Sequence, residues 1–143
     1  MSQIVQLLLV EDNPADVELT KVNLEQAKLH LDLNVVTDGE EALDYLYQRG
    51  EFTDAKRPDL ILLDLNLPKV NGKEVLAQIK SDDSLKSIPV VVLTSSEADS
   101  DIAASYQLHA NAYVAKPIGL ESFNTIVKSI EDFWLTVVKL PPK

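Results

Sequence analysis

Glu11 and Asp12 stand side by side directly after an apolar run, and Asp64 stands directly after another. Thr94 follows Asp64 by 30 residues and Lys116 follows Thr94 by 22, each about one strand-plus-helix unit. Three carboxylates, a hydroxyl and an ammonium brought to one crevice have a definite chemistry. The acids repel one another and resist desolvation, so either one takes a proton or a cation sits among them. Oxygen-only ligands in a hydrated crevice favour a hard ion, Mg2+ before Ca2+. Zinc is disfavoured, because there is no Cys and the two histidines, His30 and His109, lie elsewhere. A bound Mg2+ would draw in a phosphoryl donor and leave one carboxylate to attack in line. Asp64 is the best candidate nucleophile, at the end of a central strand; carboxylates of this kind form aspartyl-phosphate. Lys116 suits one phosphate oxygen as a point charge, and Thr94 can donate a hydrogen bond to another.

These residues meet only if the fold gathers strand ends on one edge. Ile4–Val10 is a short apolar run rich in Val and Ile, which predicts a strand. Asn13 and Pro14 then predict a helix start, with Ala15–Leu29 helical and Leu19, Val22 and Gln26 on one face. Leu33–Val36 is a second strand, Thr37-Asp38-Gly39 a turn, and Glu40–Arg49 a helix. After the polar loop Gly50–Pro58 come a third strand, Asp59–Leu63, and a helix over Lys73–Lys80. Pro89–Leu93 is the fourth strand. Ser96 with Asp99 fits a capping box that starts a fourth helix, running to about His109. Asn111–Ala115 is the fifth strand, and a final helix starts near Gly119. Five apolar strands alternating with five helices predict a doubly wound α/β fold: a parallel sheet between two helical layers. Ligands of such sheets bind beyond the C-terminal strand ends, where the five side chains fall.

Composition narrows the function classes. The chain has 143 residues, enough for one core and one domain. Asp and Glu number 23 against 13 Lys and Arg, a formal net charge of −10. That balance argues against a nucleic-acid surface, which needs a basic patch, and against adhesion to an anionic membrane leaflet. No targeting signal and no membrane-length apolar run occurs, so the expectation is a cytoplasmic protein.

The segments Val10-Glu11-Asp12-Asn13, Leu62-Leu63-Asp64-Leu65-Asn66-Leu67-Pro68, Thr94 after Val-Val-Val-Leu, and Lys116-Pro117 resemble the receiver domain of two-component response regulators. The resemblance covers residues 4 to about 133. It implies a flavodoxin-like sheet in the order 2-1-3-4-5. It further implies that Asp64 is the phosphoacceptor, receiving its phosphoryl group from a phosphohistidine on a sensor histidine kinase. By the same resemblance, Glu11 and Asp12 hold Mg2+ with Asp64, and the backbone carbonyl of Asn66 completes the protein ligands. Thr94 and Lys116 contact the phosphate, Thr94 and Tyr113 form the switch, and the bond before Pro117 is cis. Within the family, the sequence is similar to single-domain response regulators paired with cyanobacterial phytochrome kinases. The cues are the polar loop Gln48–Arg57, the Asn-Leu-Pro-Lys segment at 66–69 and the tail Phe133–Pro141. The expected domain plan is one receiver over 1–143 with a short extension over 134–143, not an enzyme in the usual sense.

Taken singly, these residues have plainer explanations. Acids favour helix N-termini in any case, Asp64 could cap a turn, and Lys116 could be a surface lysine. Their joint placement on one edge is what favours the functional reading. Rival functions are a phosphatase with an aspartate nucleophile and a non-phosphorylating binding module. Phosphatases of that kind carry an Asp-x-Asp after the first strand, unlike the adjacent Glu11 and Asp12. The last helix has one apolar stripe from Phe123 to Val137, yet Leu120, Leu135, Val138 and Leu140 lie off it, and a receiver core would be complete near Phe133. An apolar extension of this kind marks a contact surface. The expectation is a homodimer through helix four, strand five, helix five and the tail, using Tyr106, Phe133, Trp134, Leu135, Val138 and Leu140. With no effector domain following, output is expected through protein–protein contact.

Overall fold

The computed structural model describes residues 5–26, 31–65, 67, 69–94 and 112–115. Within them run β1 (Val5–Val10), α1 (Pro14–Gln26), β2 (Leu31–Val36), α2 (Gly39–Leu46), a 3-10 turn (Gly50–Phe52), β3 (Leu60–Asp64), α3 (Gly72–Ser81), β4 (Val90–Thr94) and β5 (Ala112–Ala115). All strand pairs are parallel. The sheet order is β2-β1-β3-β4-β5, as the family resemblance implies. The fourth and fifth expected helices lie outside the described residues.

Burial explains why β1, β3 and β4 are continuous apolar runs. Leu8, Val10, Ile61, Leu63, Val90 and Val92 form one sheet face and pack with Ala42, Tyr45, Val75, Leu76 and Ile79 of α2 and α3. Their alternates Leu7, Leu9, Leu62 and Leu93 are equally buried, so the sheet is covered on both sides. Fully burying one such side chain contributes about 1.5–3 kcal/mol.

Helix starts follow the capping chemistry. Asn13 accepts from the N–H groups of Ala15 and Asp16 at 2.9 and 3.2 Å, with Pro14 at the first helical position. Asp38 accepts from Glu41 N–H at 2.7 Å and Asn71 from Glu74 N–H at 3.0 Å.

Besides shifts of one or two residues at the ends of β2, β3 and α3, three differences from the sequence expectation have a local physical reason. Helix α2 stops at Leu46 instead of Arg49, because Gln48 takes a left-handed φ of 56° and Gly50 one of 61°. Strand β4 begins at Val90, one residue after Pro89, which has no N–H for the ladder. Among the described side chains of α1 the buried one is Thr20, while Leu19 and Val22 are 39% and 45% exposed. Val22 lies roughly 200° round the helix from Thr20, so its apolar character does not define the inward face.

Candidate functional site

The strand register assembles the acidic corner. Val10 pairs with Leu63 across β1 and β3, so Glu11 and Asp64, each next in its chain, sit side by side. Asp64 is the last residue of β3 and alternates onto the side of Leu60 and Leu62, away from α2 and α3. The Glu11 N–H still donates to the Val36 carbonyl at 3.0 Å, and Leu65 N–H to the Leu93 carbonyl at 3.1 Å. Both carboxylate-bearing segments are therefore held by the sheet itself, one residue past its regular ladder. Glu11 and Asp64 are each 1% exposed, whereas Asp12 is open to solvent. One carboxylate oxygen from each of the three lies within 4.8 Å of the others.

Glu11 Oε2 accepts from Asn13 N–H at 3.3 Å, which holds its carboxyl at the turn into α1. Two buried acids beside a third form a concentration of negative charge that a cation offsets. The donors are all carboxylate oxygens, and one side of the set is hydrated at Asp12. That chemistry fits a hard divalent ion that keeps part of its water shell.

The segment after Asp64 is tightly built. Gly72 N–H donates to the Leu65 carbonyl at 3.0 Å, closing the loop at its base. A Cβ at Gly72 would stand 2.3 Å from the Asp64 carbonyl oxygen, so only glycine lets α3 start this close to β3.

The remaining predicted site residues are placed in part. Thr94 ends β4 with its backbone paired to Ala115, and Tyr113 pairs with Val92 in β5. The edge position expected for Thr94 is thus present, and Lys116 is the residue directly after Ala115 in the chain. Asn66, Tyr106, Lys116, Pro117 and the tail residues Phe133, Trp134, Leu135, Val138 and Leu140 lie outside the described residues. Sequence reasoning did not single out Asp38 and Gly39 for the site, which contact this loop at Lys69 and Val70 from the neighbouring turn. Their signal is an ordinary Asp-Gly turn, indistinguishable from any other without coordinates.

Residues 7–128 match the family model of the response regulator receiver domain. The chain belongs to the response regulator receiver family. It is 48% identical over 135 residues to response regulator Rcp1 of Synechocystis sp., covering 94% of this chain and 92% of that one. A probable methanogenesis regulatory protein, FilR2 of Methanothrix harundinacea, is 43% identical over 90% of this chain and 83% of its own. Among solved structures, the phosphorylated cyanobacterial phytochrome response regulator RcpA superposes with a TM-score of 0.82 at 51% identity, covering 94% of this chain and 96% of that one. The Mn2+-bound form of Rcp1 gives a TM-score of 0.82 at 47% identity, covering 96% and 99%. The chain is thus a receiver-type signalling protein whose family works by phosphorylation on aspartate. Among its described residues, no helix is long and apolar enough to cross a membrane.

Proposed function

We propose that Asp64 is the phosphoacceptor and that the reaction requires Mg2+ held by Glu11, Asp12, Asp64 and the backbone carbonyl of Asn66. A carboxylate oxygen of Asp64 attacks the phosphorus of a phosphohistidine on a sensor histidine kinase. The P–N bond breaks, a P–O bond forms, and the imidazole leaves and is reprotonated. Bound Mg2+ supplies charge neutralisation between the acids and the incoming phosphoryl oxygens. Lys116 and Thr94 contact those oxygens, and Thr94 with Tyr113 passes the change to the β4–β5 side of the domain. The observation that carries this reading is the register that sets Asp64 beside Glu11 and Asp12, with oxygens within 4.8 Å.

The likeness to Rcp1 and to the phytochrome response regulator RcpA supports a phytochrome as the cognate kinase, in the cytoplasm. The Mn2+-bound form of Rcp1 supports a divalent cation at the site. The apolar residues past Phe133 support a receiver over 1–143 with an extension over 134–143. With Tyr106 they support a homodimer through the fourth helix, β5, the last helix and the tail. Signalling then passes through protein–protein contact, without nucleic acid or membrane.

Incubation with a small phosphodonor and Mg2+ tests the central claim. The expected result is an acid-stable, base-labile adduct on Asp64 that is absent from Asp64→Asn and absent without metal. Multiple-turnover release of phosphate without adduct would instead indicate a phosphatase, and no adduct at all a binding module that does not phosphorylate.

A further inference from the structure

The segment from Leu65 to Gly72 leaves the sheet beside the acids and must return to start α3. Its base is closed by the hydrogen bond from Gly72 N–H to the Leu65 carbonyl. Its far side is gripped by a different element, the turn between β2 and α2. A Cβ added to Gly39 would stand 1.8 Å from the Val70 carbonyl oxygen and 2.9 Å from the Val70 Cβ. Gly39 opens α2, so helical geometry alone would accept another residue there; the glycine is needed for space. Next to it, Asp38 Oδ2 faces Lys69 Nζ at 3.7 Å, while Asp38 Oδ1 caps α2 at 2.7 Å. The turn that does the gripping is itself stiff. Glu41 reaches back to accept from Thr37 N–H and Oγ1–H at 2.9 and 3.0 Å, completing a reciprocal cap. Asp38 is buried, so its carboxylate is a fixed anchor. Lys69 holds a left-handed φ of 63°. Asparagine or glycine would carry that backbone with less strain, but neither would supply an ammonium.

We propose that Asp38 and Gly39 are positioning residues for the site: by gripping Lys69 and Val70 they fix the loop after Asp64 and so set how tightly the acids hold a divalent cation. The inference rests on the reading of Glu11, Asp12 and Asp64 as metal ligands. The grip acts through backbone placement, because neither Asp38 nor Gly39 belongs to the acidic cluster. It differs in this from a long-range charge effect, and the two make opposite forecasts for one substitution.

Mn2+ or Mg2+ titration of the full chain by calorimetry tests it, with phosphodonor labelling run in parallel. Asp38→Asn keeps the helix cap but removes a negative charge, and Lys69→Asn relaxes the backbone but removes a positive one. If charge alone matters, Lys69→Asn tightens cation binding and Asp38→Asn weakens it. If the grip matters, both weaken it, by about two- to fivefold, since the Lys69 end of the pair is open to solvent. Gly39→Ala, a neutral change that forces the two turns apart, weakens it on the order of tenfold. Labelling slows at low Mg2+ and recovers when Mg2+ is saturating. Unchanged or tighter cation binding in Lys69→Asn overturns the proposal, as does wild-type affinity in a folded Gly39→Ala. Should the wild-type chain bind no divalent ion, the metal-site reading itself fails, and the proposal with it.

Discussion

Glu11 and Asp64 are as buried as Val10 and Leu63, which precede them, a burial carboxylates tolerate only with compensation. Asp12 completes the cluster from the solvent side, so it is the residue whose charge can be removed with least disturbance to packing. Two effects of opposite sign then follow from Asp12→Asn. Without metal, relief of like-charge repulsion leaves the variant at least as stable as the wild type. With metal, if Asp12 is a ligand as proposed, the variant lacks that ligand, and wild-type stabilisation should exceed its own. A ligand that binds only the folded state adds about 2.7 kcal/mol at a hundredfold excess over Kd. Thermal melts of both proteins with and without Mg2+ should therefore cross: Asp12→Asn equal or higher in chelator, lower in saturating Mg2+. Melts that keep the same order in both conditions would remove Asp12 from the metal site. The three acids were legible in the sequence because each directly follows an apolar run, and strand ends on one edge are where a parallel sheet gathers ligands. The partners of the loop were not legible, since Asp38–Lys69 and Gly39–Val70 are contacts between two turns whose approach depends on how β1 and β3 bring their neighbours together.

At the scale of elements, α2 and α3 are tied to the turn that follows α3 through one carboxylate. Asp82 accepts from the Ser84 hydroxyl at 2.6 Å and Ser84 N–H at 2.8 Å, and its other oxygen accepts from the Tyr47 hydroxyl at 2.7 Å. These donors, the Ser84 hydroxyl first and then Tyr47, hold its carboxyl down at about 2 from an ordinary 3.8. A carboxyl depressed in the folded state contributes stability above its unfolded pKa and loses it as pH falls through the folded one. Acid unfolding should therefore steepen between about pH 4 and pH 2 in the wild type and flatten there in Asp82→Asn. Superimposable acid titrations would show that the network carries no such linkage. Helix α3 offers a second test at its other end. Asn71→Ala removes the acceptor for Glu74 N–H and should cost about 1 kcal/mol in denaturant melts. The start of α1 was legible because Asn13 announces it by side-chain chemistry; α2 and α3 were placed from Glu40 and Lys73, one residue late, because the glycines that follow the capping Asp38 and Asn71 read as turn residues. Ends and faces were less so. Tyr47 carries the apolar pattern of α2 one residue past its end at Leu46, where Gln48 then turns left-handed. On α1, Leu19 and Val22 read as inward yet are exposed, while Thr20 is buried with its hydroxyl donating to the Asp16 carbonyl at 2.8 Å. A local hydroxyl bond of that kind lets a threonine be buried without any apolar signature.

For the whole molecule, the formal charge of −10 constrains how two copies can meet. Two such surfaces repel at low ionic strength, so association must be driven by apolar burial and opposed by charge. The sequence offers Phe133, Trp134, Leu135, Val138 and Leu140 within eight residues as that apolar contribution. The two forces separate by salt. An apolar contact between acidic partners strengthens as salt screens their repulsion, with a Debye length falling from about 30 Å at 0.01 M to about 10 Å at 0.1 M. A contact made by ion pairs weakens over the same range. Light scattering should accordingly find the dimer fraction rising with added NaCl, and rising further if phosphorylation at Asp64 favours the associating state. A chain ending after Phe133 should scatter as a monomer at every salt concentration while still forming the Asp64 adduct, which establishes that its receiver is folded. If that shortened chain keeps the mass of the full-length protein, the tail has no part in assembly; if association instead falls as salt is added, ionic contacts elsewhere on the domain hold the two copies together.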